Sequence, residues 1–109
     1  MASVEMKVTS NAEQVKSELK SEKDIALEQI GLIAERYAKE LCPVDTGRLR
    51  NSISHARDGD EVVIGTNVEY APYVELGTRR MSPRPFLKPA AENHASEYSN
   101  IVMNALKGS

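Results

Sequence analysis

"SISHARDGDEVVIGT", residues 52–66, decides the fold. Arg57-Asp58-Gly59-Asp60 is turn chemistry, with Asp58-Gly59 supplying the positive φ that a tight hairpin requires. A strand near 51–57 leads into the turn and a strand over 61–66 returns from it, so the segment reads as an antiparallel pair. Val62-Val63-Ile64 is apolar without alternation. That predicts burial on both faces of the returning strand, or a contact from another chain.

Upstream, Val4, Met6 and Val8 alternate with Glu5 and Lys7, the period of a half-buried strand. Ser10 then opens a capping box with Glu13, which predicts a long helix over residues 11–41. Its apolar positions Val15, Leu19, Ala26, Ile30, Ile33 and Tyr37 recur at helical spacing, and Ile25, Leu32 and Leu41 are read as widening that stripe. Such a helix is a rod of about 45 Å, longer than a small domain needs, and hints at assembly. Pro43 ends it, and residues 47–53 read as a short helical turn opening into the hairpin. Downstream, Pro89 is read as the first residue of a last helix over 89–107, with Ala91, Ala95, Tyr98, Val102 and Ala105 on one face. The expected fold is α+β: an antiparallel sheet packed against a long N-terminal helix and a C-terminal helix, one domain over 1–109. Leu41, Ile53, Ile64, Tyr73, Phe86 and Tyr98 are expected to meet in its core.

Five aromatic residues in 109 indicate an aliphatic core too small to enclose a large site. The sequence predicts a soluble chain with neither a signal peptide nor a spanning segment. One cysteine, Cys42, allows no internal disulfide, which fits a reducing compartment. Net charge of -2 argues against a general nucleic-acid binder. The charge is uneven, however: Arg79, Arg80, Arg84 and Lys88 fall in an acid-free run over 77–89. That basic segment is either a solvated loop or a docking element for an acidic surface.

No constellation for catalysis emerges. Ser52 and His55 are read on opposite faces of one strand, which rules against a Ser–His pair. His94 reads as a polar helix position and Cys42 as a small residue at a helix end. Metal-ligand spacings and glycine-rich phosphate cradles are missing from the sequence, so no cofactor and no metal is expected. Asp45, Glu69 and Glu75 stand among many arginines and read as ion-pair partners rather than acid–base groups.

"NVEYAPYVELGTRRMSPRPFLKPA", residues 67–90, holds four of the five prolines, three arginines and the single phenylalanine. With "CPVDTGRLRNSI" (42–53) it gives three clusters in one order, the others being "VEYAPYVELGT" (68–78) and "PRPFLKPA" (83–90). Together they resemble the small neck and tail-completion proteins of long-tailed DNA bacteriophages and prophages, the gene-product-ten-like family of lambdoid type, over about residues 10–107. The matching positions are Asp45, Thr46 and Gly47; Tyr70, Pro72, Tyr73, Glu75 and Gly77; and Pro83, Pro85, Phe86 and Pro89. The resemblance implies structural and assembly roles for these residues. It implies a virion protein without enzymatic activity, assembled as a ring at the head–tail junction or the head-proximal end of the tail. The implied partners are other phage neck or tail proteins. Such proteins are often monomers in solution, and DNA passes through the lumen of the ring. Neither a membrane nor a small-molecule substrate is implied.

Physically, residues 67–90 read as an arm. Tyr70, Tyr73 and Leu76 recur every three residues and are expected to anchor one helical turn that Gly77 ends. "RRMS" (79–82) is an exposed basic tip, Pro83 and Pro85 stiffen the return, and Phe86 re-enters the core. Arg48, Arg50, Arg79, Arg80 and Arg84 are the candidate partner-interface residues. In the alternative reading these same arginines hold nucleic-acid phosphates.

Overall fold

Strand β1 (Val4–Lys7) pairs antiparallel with β3 (Glu61–Thr66), which pairs antiparallel with β2 (Ser54–Asp58), giving the order β1-β3-β2. This is a computed structural model, and it describes residues 4–10, 20–43 and 47–107. The elements outside the sheet are helices α1 (Lys20–Leu41), α2 (Gly47–Ser52), α3 (Ala71–Leu76), α4 (Leu87–Glu92) and α5 (Ala95–Lys107). The α+β architecture expected from the pattern is the one observed. Asp58 pairs with Glu61, so Gly59 and Asp60 form a two-residue loop. Gly59 has φ of 63° and Asp60 is not at positive φ, the arrangement of a II′ turn with glycine first.

Register sorts the side chains into two faces. Met6, Ile64 and His55 line up across the sheet on the helix-covered face, and Lys7, Val63 and Ala56 on the other. Val62 and Ile64 are buried, whereas Val63 is only half-buried. The apolar run is therefore covered on one face by this chain, not on both. The helices lie on one side, and the opposite side keeps a shallow depression lined by Glu5, Ser54, Ala56 and Gly65.

Helix α1 crosses the covered face. Ala26, Leu27, Ile30, Ala34 and Ala38 are buried, and the small side chains of the three alanines let the sheet, α4 and α5 approach closely. Ile25, Leu32 and Leu41 are 59%, 53% and 47% exposed, so they do not widen the core stripe. At 100° per residue Ile25 and Leu32 fall opposite the alanine face, and Leu41 is the last residue of α1. The first part of the expected helix, with Glu13, Val15 and Leu19, lies outside the described residues, as do Asp45 and Thr46 of the turn.

The expected C-terminal helix is two helices. The chain turns at Asn93-His94, and the His94 ring stacks on Tyr37 of α1 at 3.7 Å. Tyr37 also donates a 2.6 Å hydrogen bond to Glu97, and buried Tyr98 donates one of 2.6 Å to the Ala90 carbonyl. These polar tips tie α1 and α4 to α5 while the rings fill the interface. Pro89 stands third in α4 rather than first. It is tolerated because the first four N–H groups of a helix have no partner within it.

Of the six residues expected to share the core, Ile53, Ile64, Phe86 and Tyr98 are buried, but Leu41 and Tyr73 are not. Tyr73 is 58% exposed and Leu76 is 76% exposed, so spacing three in α3 marks its outward face. Ala71 and Glu75 face inward, and Tyr70 and Val74 pack partly against the core.

Candidate partner-binding surface

The inward residue of α3 that matters most is an acid. Glu75 is 5% exposed, and its carboxylate accepts backbone N–H bonds from Phe86 (3.1 Å), Leu87 (2.9 Å) and Lys88 (3.1 Å). Those are the orphan donors at the start of α4, where a negative charge also meets the positive end of the helix dipole. Glu75 is therefore a helix cap supplied from another helix, not the partner of an arginine. The expectation for Glu69 holds: Arg48 Nη1 and Nη2 donate to its two carboxylate oxygens at 3.0 and 2.9 Å. The Arg48 guanidinium also lies 5.8 Å from the centre of the Tyr70 ring. Glu69 is held below the usual carboxylate range by the Arg48 bond, and Arg48 is raised by the same contact.

Between Glu75 and Phe86 the chain leaves the body. Residues 78–85 are all exposed. The base of this excursion is pinned: Gly77 N–H donates to the Tyr73 carbonyl at 2.8 Å and Arg84 N–H to the Val74 carbonyl at 2.8 Å. Gly77 has φ of 79°, and a Cβ there would meet Pro83 N at 2.8 Å, so neither a left-handed turn nor this close approach suits another residue. Farther out, the Thr78 and Met81 backbones bond each other at 2.8 and 3.3 Å, closing the tip. Phe86 then inserts fully into the core. The arm read from Tyr70, Pro72, Tyr73, Gly77, Pro83, Pro85 and Phe86 is thus present, with Glu75 rather than the Tyr73 ring fastening its root.

Arg79 and Arg80 project from this tip and make no side-chain hydrogen bond or ion pair among the described residues. Arg84 stands on the returning limb and is exposed. Burial pushes the Cys42 thiol upward, and the charges of Arg50 and Arg84 partly offset that push. Both arginines therefore lie near the C-terminal end of α1, on the same end of the molecule as α2. Arg48 differs from Arg79 and Arg80 because Glu69 already holds its fork.

Among the described residues neither histidine pairs with a nucleophile. Ser52, in α2 rather than a strand, donates to the Leu49 carbonyl and meets Thr66 Oγ1. His55 lies under α1, with Nδ1 2.9 Å from Glu35 Oε1 and Nε2 2.9 Å from Glu28 Oε1. Burial disfavours its charge, but the bonds to Glu35 and Glu28 outweigh burial and raise the imidazole above its ordinary value. Glu35 is shifted upward by burial and, more strongly overall, downward by His55 and Lys39. Gly31 is the one trace of this clip legible in the chain, since a Cβ there would run into the His55 ring.

Arm, hairpin and half-covered sheet are the parts of an α+β body with one helix-covered sheet face. The chain belongs to the family described as "Bacteriophage HK97-gp10, putative tail-component", whose model matches residues 6–77. No curated protein and no solved structure matches it significantly. Membership makes this a structural phage protein that works among other tail components of the virion. Among the described residues no helix is long and apolar enough to cross a membrane.

Proposed function

We infer that the chain acts at the head-proximal end of the tail, in tail completion or head–tail joining, as one subunit of a ring. Its tip binds an acidic surface on a neighbouring subunit or neck protein. The observation that carries this reading is the pair Arg79 and Arg80, held out on a pinned loop in a protein of this family. Exposed arginines add almost nothing to the stability of a free chain, yet arginines desolvated at an interface contribute about 2 kcal/mol or more each. A head-to-tail contact between copies closes into a ring when its rotation permits.

The test is complementation of a phage lacking this gene. Arg79→Glu with Arg80→Glu should melt like wild type but leave filled heads and tails unjoined, or tails immature. Plating at wild-type efficiency would remove the tip from the mechanism. The nucleic-acid reading keeps the exposed Arg79 and Arg80 but loses Arg48 to Glu69. It predicts salt-dependent DNA binding by the purified chain.

A further inference from the structure

The arm tip carries apolar surface as well as charge. Tyr73 and Leu76 share the outward face of α3, and the exposed Met81 closes on Gly77 beside them, its carbonyl 2.9 Å from where a Gly77 Cβ would stand. The three form an apolar knob next to Arg79 and Arg80. Tyrosine, methionine and arginine are residue types enriched where interfaces are desolvated. The helix-free face of the sheet has the converse shape. An antiparallel sheet with one face in water commonly alternates apolar with polar residues. Here the central strand puts half-buried Val63 on that face, and β2 sets exposed Ala56 directly beside it. With Ser54, Gly65 and Glu5 they line the shallow depression, which holds about 170 Å³ against the roughly 300–1,000 Å³ of small-molecule sites. It has room for a side chain rather than a cofactor. Of the charged groups beside it, Lys7 and Glu61 pair with each other at 3.1 Å. Glu5 is exposed at the rim and makes no hydrogen bond or ion pair among the described residues. The lining comes from the three strands alone, so the arm of the same chain does not fill the depression.

We propose that the arm tip of one copy docks in this depression on the open sheet face of the next copy; this rests on the ring reading above and names its contact. Leu76 and Met81 cover Val63 and Ala56, and the tip arginines meet Glu5. Burying the knob removes apolar surface from water on both sides, and the carboxylate left open at the rim gains a guanidinium partner. Tip on tip would instead oppose unpaired arginines. Knob and depression are different surfaces of one chain. The contact is therefore heterologous and propagates from copy to copy.

The test is thiol cross-linking of the full chain at high concentration with a short bismaleimide. Cys42 is 3% exposed and does not compete. Ala56→Cys with Leu76→Cys in one chain should give a covalent ladder beyond dimer, and either change alone should give none. Adding Glu5→Arg to that pair should reduce the ladder about tenfold, the effect of 1.4 kcal/mol. Adding Arg79→Glu and Arg80→Glu to the Glu5→Arg chain should restore it, which a folding defect would not allow. A ladder indifferent to Glu5→Arg would overturn the docking. Dimers from Ala56→Cys alone or Leu76→Cys alone would overturn it in favour of a symmetric contact. Oligomers by native mass without a ladder would overturn this contact and leave the ring to another surface. A monomer at every concentration, without cross-links, would overturn self-docking, while complementation would still judge the tail role.

Discussion

Replacing Glu75 isolates the link between the arm and the body. In Glu75→Gln the shape is kept and the charge is lost. Phe86 and Leu87 both donate to Oε1 and Lys88 to Oε2, so the amide oxygen can keep two bonds while the amide NH2 faces the third donor. Bonds to a charged partner contribute about 1.5–3 kcal/mol against about 1 kcal/mol for neutral ones, and a buried donor left unpaired costs about 1–3 kcal/mol. Weakening two bonds and orphaning one donor gives at least about 2 kcal/mol for Glu75→Gln. Glu75→Ala orphans all three donors, less whatever water repairs, and should cost about 3–5 kcal/mol. For a domain of about 100 residues, each kcal/mol lowers Tm by about 4–8 °C. Thermal and urea unfolding followed by circular dichroism should rank wild type above Glu75→Gln and that above Glu75→Ala. A Glu75→Gln protein melting within 2 °C of wild type would refute the cap as a major tie.

Gly31→Ala should destabilise by about 1–3 kcal/mol through the clash with His55, although alanine normally stabilises a helix interior by about 1 kcal/mol; a rise in Tm would show that the ring moves aside without cost. The His55 clip should make stability depend on pH. Because the folded pKa of His55 is raised, its contribution is full below the ordinary value of 6.5 and is lost as pH climbs through the folded pKa. Glu35, whose pKa is lowered, contributes fully above its ordinary 4.5 and loses that contribution as pH falls through the folded pKa. Urea unfolding of wild type against His55→Gln should show the largest gap near pH 6 and a smaller one at pH 8.5; a gap constant with pH would mean that the imidazole is neutral in the clip.

Local rules made the hairpin and β1 legible. Asp58-Gly59 and the alternation of Val4, Met6 and Val8 act over a few residues, where turn and pleat geometry dominate. The arm was legible for the same reason, from Gly77, Pro83 and Pro85. Failures began where a partner lay far along the chain. Glu75 caps α4 from eleven to thirteen residues away. No spacing rule announces that, and nearby arginines offered a more obvious mate. Ile25 and Leu32 read as widening the buried stripe because they are large and apolar, yet both are exposed. Ala26, Ala34 and Ala38 mark the true inward face, since close packing selects small side chains there. The break at Asn93-His94 was likewise hidden, because His94 is fixed by Tyr37 on another helix. Among the five candidate arginines, Arg48 is set apart by Glu69, whose place 21 positions on no local spacing announces.

The pinned root of the arm bears on how such proteins diverge. Between Gly77 and Arg84 the loop is closed by its own backbone bonds, and its exposed side chains lie outside the core. Loop closure depends weakly on length: doubling a loop costs about 0.6 kcal/mol, less than one bond to a charged carboxylate. Residues 78–82 can therefore lengthen, shorten or change charge while Glu75 and Phe86 keep the frame folded. Selection on partner choice is thereby uncoupled from selection on folding, and a lineage can exchange neighbours by drift in five positions without repacking its core.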